Sequence, residues 1–230
     1  MPSYEGFRLK VLKWKRLTFA KKRRRLLNHT DFTIISNNCW GGMIYESYNI
    51  PKESPTVGLF FMASDYIKFL SDLKTYILDG KLSFIDPNDS KWRDYVSGDS
   101  RFGSYPVGVL KKSRDDEGVE IFFLHYHSKD EAREKWERRC KRINWNKLLV
   151  KFNDQNYCTE QQFEQFLLLP FEHKIFFTCK EWKYENNICT KIIKIWQPFN
   201  NDCITASHEP FGANRYIDLN SLLNSLGNDK

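Results

Sequence analysis

The chain has 230 residues, of which 41% are hydrophobic and 16% aromatic, enough apolar material for one large domain or two small ones and too much for a disordered chain. The net charge of +7 is a local property: residues 1–30 hold ten Lys or Arg against one acid (+9), and the remaining 200 hold 26 basic and 28 acidic groups (−2). A nearly neutral body disfavours nucleic acid as a partner, no apolar run approaches the ~20 residues that span a bilayer, and the N-terminus lacks the features of a secretory signal, so a cytoplasmic protein is expected.

Phe7, Val11, Trp14 and Leu17 recur at helical spacing among the basic residues. They predict an amphipathic helix within residues 1–28, suited to the surface of an anionic membrane. At about 1 kcal/mol per Lys or Arg, five to eight such charges hold a protein there reversibly. The alternative is that the same stripe packs on the domain. Lys21 to Arg25, without interleaved aromatics, make a poor base-stacking surface.

Residues 31–42 read DFTIISNNCWGG. Phe32-Thr33-Ile34-Ile35 predicts a buried strand, and the abrupt run of two amides, a thiol, an indole and two glycines places chemistry at its carboxyl end. A second strand is expected at 56–61, a helix at 64–78 stopped by Gly80, a short strand at 82–85, a long polar loop at 86–101, and a strand at 107–110. After a charged turn at 111–118, residues 119–126 form the most apolar strand and end at His125-Tyr126-His127.

Ser128 and Glu131 form a capping box for a charged helix that buries Ala132, Trp136, Cys140 and Ile143. A strand at 148–152 runs into Asn153-Asp154-Gln155-Asn156, and Thr159 with Gln162 caps a helix carrying Phe163, Phe166 and Leu167. Strands at 174–178 and 191–196 and a closing helix at 218–226 complete the chain. This alternation predicts an α/β fold, a Rossmann-like three-layer unit with a central, mainly parallel sheet over residues 31–230, with 180–215 as a candidate smaller subdomain. The six cysteines, at 39, 140, 158, 179, 189 and 203, show no C-x-x-C pair and no tight His/Cys cluster, so neither a metal site nor a disulfide framework is expected.

Parallel strands would bring Asn37-Asn38-Cys39, His125-Tyr126-His127 and Asn153-Asp154-Gln155 to one rim. That rim would contain the parts of a nucleophilic site: Cys39 as nucleophile, His125 or His127 as base, Asp154 to orient the imidazole, and Asn37, Asn38 or the amides around Gly41-Gly42 to receive an oxyanion. Each part has a plainer reading, as a packed thiol, a core histidine or a turn-capping aspartate. Trp40 is either a ring for a sugar face or a plug over the core, and Gly41-Gly42 alone is a weak phosphate cradle.

The segments SNNCWGG (36–42), PTVGLFF (55–61), DYIKFL (65–70), YPVG (105–108), FLHYHS (123–128), EKWERRCKRINW (134–145) and KFNDQN (151–156) resemble a bacterial domain-of-unknown-function family, the nineteen-nineteen family, over roughly residues 30–180. The resemblance implies a setting among exopolysaccharide and capsule genes and leaves the chemistry to the site.

Three function classes follow. The first is a polysaccharide acyltransferase that uses Cys39 to move an acyl group from a coenzyme A thioester to a sugar hydroxyl. The second is a glycosyl or sugar-phosphate transferase with a nucleotide-activated donor, weakened because Asp115-Asp116 is adjacent rather than an Asp-x-Asp pair. The third is a non-catalytic scaffold at the membrane.

Overall fold

The computed structural model describes residues 4–184, 190–195 and 217–227. In chain order its elements are α1 (Tyr4–Arg24), β1 (Thr33–Ser36), α2 (Trp40–Tyr48), α3 (Ala63–Ser71), α4 (Leu73–Leu78), β2 (Lys81–Ile85), α5 (Arg93–Val96), β3 (Val107–Lys111), β4 (Val119–Phe122), α6 (Lys129–Cys140), β5 (Leu148–Asn153), α7 (Glu160–Leu168), β6 (His173–Thr178), β7 (Thr190–Lys194) and α8 (Leu219–Ser225). The single helix expected at 64–78 is split at Asp72, whose carboxylate accepts a 2.6 Å bond from the Thr75 hydroxyl. Such local side-chain bonds compete with helix continuation.

β1, β5, β6 and β7 form a parallel sheet in that order, with Ile34 opposite Leu149 and Phe152 opposite Phe176. Alternation along the strands assigns the two faces. Ile34, Leu149, Ile175, Phe177 and Ile193 share a core with α2 and α8, whereas Ile35, Val150, Phe152 and Phe176 pack with Tyr66, Trp136, Phe163 and Phe166 from α3, α6 and α7. Helices on both faces explain why these strands are apolar runs, and each side chain fully buried in this way contributes about 1.5–3 kcal/mol. The capping expected from sequence is present at α6 and α7, where Ser128 accepts from the Glu131 amide and Thr159 and Gln162 form a box; at α8 Asp218 caps as well, accepting from the Asn220 and Ser221 amides.

The most apolar strand is not in that sheet. β2, β3 and β4 form a separate three-stranded antiparallel sheet. The short segment between β3 and β4 allows a hairpin but not the helical crossover a parallel pair needs. The Asp116 carboxylate locks the turn, accepting from the Lys112 and Gly118 amides and the Tyr76 hydroxyl and pairing with Lys68 at 2.8 Å. These contacts hold its pKa below the usual carboxylate range. Both faces of β4 are covered: Val119, Ile121 and the following Phe123 join the main core, Phe122 packs with Met62, Val96, Tyr105 and Val107, and the buried Glu120 carboxylate accepts from the Ser90 hydroxyl and the Lys91 amide. Residues 86–101 supply part of this second cover, through a 3-10 turn at Pro87–Asp89 and α5.

The strand expected at 56–61 is a turn followed by a single antiparallel bridge from Phe60 to Phe122. β7 belongs to the main sheet, beside β6, and most of the candidate subdomain at 180–215 lies outside the described residues.

α1 lies along α2. Arg23 donates to the Ser47 carbonyl at 3.3 Å and Arg24 to the Asn49 carbonyl at 3.0 Å, with Arg16 (8% exposed) and Ala20 (1%) on the buried side. Trp14 and Leu17 of the apolar stripe stay exposed, at 64% and 49%, so those two residues do not pack on the domain. No described helix is long and apolar enough to cross a membrane.

Candidate functional site

Cys39 is the N-cap residue of α2, but its side chain does not cap the helix. Asn38 does that work, its carboxamide oxygen accepting the Trp40 amide at 3.1 Å, which leaves the thiol available. Behind it lies a polar network that sequence reasoning missed. The fully buried Lys151 ammonium on β5 donates to the carboxamide oxygens of Asn153 (2.7 Å), Asn38 (2.9 Å) and Asn37 (3.1 Å). The Asn38 amide group in turn donates to Asn153 and to Gln155, both at 3.2 Å. A lysine surrounded by Val150 and Phe152 in a strand covered on both faces was the available signal, since such an ammonium must find acceptors.

The other half of the site comes from the chain leaving β4. The His125 amide donates to the Gly58 carbonyl at 3.0 Å, and the Tyr126 hydroxyl donates to the Val57 carbonyl at 2.6 Å while accepting from Arg139. Gly58 sits at φ +81°, and a Cβ there would meet the Tyr126 ring at 3.1 Å. The close approach that seats His125 therefore depends on glycine.

Cys39 and His125 line one cavity of about 900 Å³, with Asn38, Gly42, Phe60, Tyr95, Tyr105, Gln155 and Asn156 among its other walls. Lys10, Lys13 and Arg16 of α1, together with Lys52 and Arg101, supply its positive charge, and Glu46 and Asp99 its negative charge. Asn156 and Tyr157, at φ 59° and 61°, carry consecutive left-handed backbone beside it, a costly conformation held by the Asn156 bonds to Phe61 and Ala63.

Burial pushes the Cys39 thiol up to about 11, against the opposing pull of Arg101, Lys151 and Lys52. His125 is exposed as a residue, yet partial desolvation, helped by Arg101 and Lys52, lowers its pKa below the ordinary 6.5. At neutral pH the pair is thus a thiol and a neutral imidazole rather than a preformed thiolate–imidazolium pair.

The remaining expected site residues divide between those placed at the cavity and those used for structure. Asn38 and Gly42 line it. Asn37 is fully buried and holds Lys151, and its amide nitrogen has no hydrogen-bond partner among the described residues. Asp154 is not placed to orient a cavity imidazole: fully buried, it accepts from the Thr178 hydroxyl at 2.6 Å and the Cys179 amide at 2.9 Å, tying the end of β5 to that of β6. His127 is exposed outside the cavity lining, and its amide donates to Glu131 as the reciprocal half of the α6 cap. Trp40, 2% exposed and 5.5 Å from the Phe177 ring, is a core plug and presents no ring to a sugar. Gly41 packs against β1, where a Cβ would lie 3.3 Å from the Ile34 side chain.

The class of molecule is therefore an α/β protein with a thiol and an imidazole facing one cation-lined cavity between two sheets. The family model for the domain of unknown function DUF1919 matches residues 10–219, and the chain belongs to that family. It is 30% identical over 182 residues to a Haemophilus influenzae protein described as uncharacterized, a match covering 79% of this chain and 78% of the relative. The family span includes Lys10, Lys13 and Arg16, so it takes in the α1 wall of the cavity as well as the sheets.

Proposed function

We propose that this protein is a transferase of surface polysaccharide synthesis, moving an acyl group from a coenzyme A thioester to a sugar hydroxyl through Cys39. The observation that carries the reading is the meeting of Cys39 and His125 in one cavity from separate sheets. Neutral His125 would take the thiol proton as sulfur attacks the thioester carbonyl, forming the Cys39 acyl thioester. The coenzyme A thiolate leaves with that proton, and the sugar hydroxyl then attacks, releasing the ester and restoring the thiol. The Gly41 and Gly42 amides in the first turn of α2 are the candidate oxyanion donors, the Trp40 amide being occupied by Asn38. Lys10, Lys13 and Lys52 would face the phosphates of the donor. The exposed Trp14 and Leu17, among lysines on α1, favour peripheral attachment at an anionic membrane face.

A second reading, transfer of a sugar or sugar phosphate from a nucleotide donor, is favoured by one observation: a thiol pushed up to about 11 carries little thiolate at neutral pH. Incubation with acetyl-coenzyme A followed by intact-mass and peptide analysis separates the two. An acetyl group on Cys39 that is discharged by a saccharide supports acyl transfer. Nucleotide release from a sugar nucleotide, with Cys39 unmodified throughout, replaces it with the second reading.

A further inference from the structure

The cavity holds more positive charge than proton transfer between a thiol and an imidazole requires. Five cationic and two anionic side chains line it, an excess of three positive charges. Both carboxylates are already engaged: Asp99 takes Arg101 through two bonds, at 2.9 and 2.6 Å, and Glu46 lies 3.4 Å from Arg16 and 3.6 Å from Lys52. Lys10 and Lys13 are exposed on the α1 wall and have no ion-pair partner among the described residues. A separate observation concerns Tyr105: it lines the same cavity at 3% exposure, and its buried hydroxyl has no hydrogen-bond partner among the described residues. Buried polar groups in folded proteins are almost always satisfied, so an unpartnered hydroxyl on a cavity wall points to an acceptor brought in by a ligand.

We infer that the cavity binds a diphosphate, with Lys10, Lys13 and Lys52 neutralising the phosphates and the Tyr105 hydroxyl donating to an oxygen of the same ligand. The excess charge matches a diphosphate better than a monophosphate or a carboxylate. The basic helix is then a wall of the binding site, and its net charge serves recognition of the ligand. The diphosphate comes either from a dissolved nucleotide or coenzyme, or from a lipid headgroup reached across the face that carries Trp14 and Leu17. The inference rests on the transfer reading of the cavity, but its test measures binding without turnover.

The test is calorimetric titration of the full chain with ADP and with inorganic pyrophosphate at low salt, with a parallel arm using neutral vesicles doped with a prenyl diphosphate. Lys10→Ala with Lys13→Ala should weaken binding by about tenfold. Lys15→Ala with Lys22→Ala removes the same charge from exposed positions outside the cavity lining and should leave affinity within about twofold, because exposed charges beyond the contact are screened. Tyr105→Phe should weaken binding several-fold, and Cys39→Ser should bind like wild type. Binding of the dissolved ligands identifies a soluble donor. Binding only of the doped vesicles, lowered by Trp14→Ala, identifies a lipid-borne one. Equal weakening by the two lysine pairs, or no binding in either arm, overturns the inference. Intact ADP binding in a protein that never acylates Cys39 sinks the acyl-transfer reading and leaves the diphosphate site standing.

Discussion

The two sheets treat buried charge differently. Around the antiparallel unit two buried carboxylates meet ammonium groups directly, Asp116 with Lys68 at 2.8 Å and Asp65 with Lys91 at 2.6 Å, while Glu120 of β4 accepts from the Ser90 hydroxyl and the Lys91 amide. In the parallel sheet the Lys151 ammonium donates to the neutral carboxamides of Asn37, Asn38 and Asn153. The first arrangement fixes a scaffold that delivers His125. The second leaves a positive field behind Cys39, where Lys151 is one of the cations opposing the upward push of burial on the thiol. Charge is used for anchoring on one side of the cavity and for tuning on the other.

The comparison breaks first at its two chemical groups. Cys39→Ser should lower acyl transfer by at least about a thousandfold and His125→Ala by about a hundredfold or more, both with an unchanged melting temperature. Loss with only one of them would confine the chemistry to one sheet. Trp40→Ala should act through stability alone, costing about 4 kcal/mol in denaturant unfolding because it empties the space against Phe177. A fully stable variant with a raised KM for saccharide would restore the indole as a sugar platform.

Asp116→Ala and Lys151→Met should each cost about 3 kcal/mol, since each leaves several buried partners unsatisfied. Cys39 alkylation sharpens the contrast between them. Removing Lys151 takes away a charge that favours the thiolate, so the pH midpoint of iodoacetamide labelling should rise above about 11. In Asp116→Ala it should stay where it is in wild type. With the thiol at about 11 against an ordinary 9.0, wild-type labelling at pH 8 should run about a hundredfold slower than that of an exposed cysteine, because the thiolate is the reactive form.

Deleting residues 1–28 should have a smaller effect, a drop of several degrees in melting temperature measured by calorimetry. α1 buries its own Arg16 and Ala20 against the domain and bonds to the end of α2, and the amide of Asn28 bonds to Asn224 of α8. An unchanged melting temperature would show that these contacts contribute nothing.

The parallel sheet was legible because its strands are apolar runs that end abruptly in polar residues, and Asn38 with Cys39 falls where that switch occurs. β4 reads the same way for a different reason, its second face being covered by residues 86–101 and not by helices of the main sheet. His125 therefore reaches the cavity, but by a hairpin exit and not by strand alignment. Asp154 was misassigned because a carboxylate at a strand end looks alike whether it serves catalysis or ties two strands together. On α1 the apolar period drew attention to Trp14 and Leu17, while the docked face runs through Arg16, Ala20 and Arg23, where charge and helical period disagree. Lys151 showed only as a lysine set in an apolar strand, and Tyr105 was invisible, because burial of a polar residue depends on tertiary neighbours that local pattern does not encode.

The most direct test of the central claim, that Cys39 and His125 from separate sheets act on one acyl group, is the single-turnover rate of Cys39 acylation by acetyl-coenzyme A as a function of pH. In wild type the rate should rise with pH through a midpoint below 6.5, as His125 loses its proton and becomes a competent base, and then level off across neutrality. In His125→Ala that inflection should vanish and the neutral-pH rate should fall about a hundredfold. Superimposable profiles for the two proteins would contradict the account.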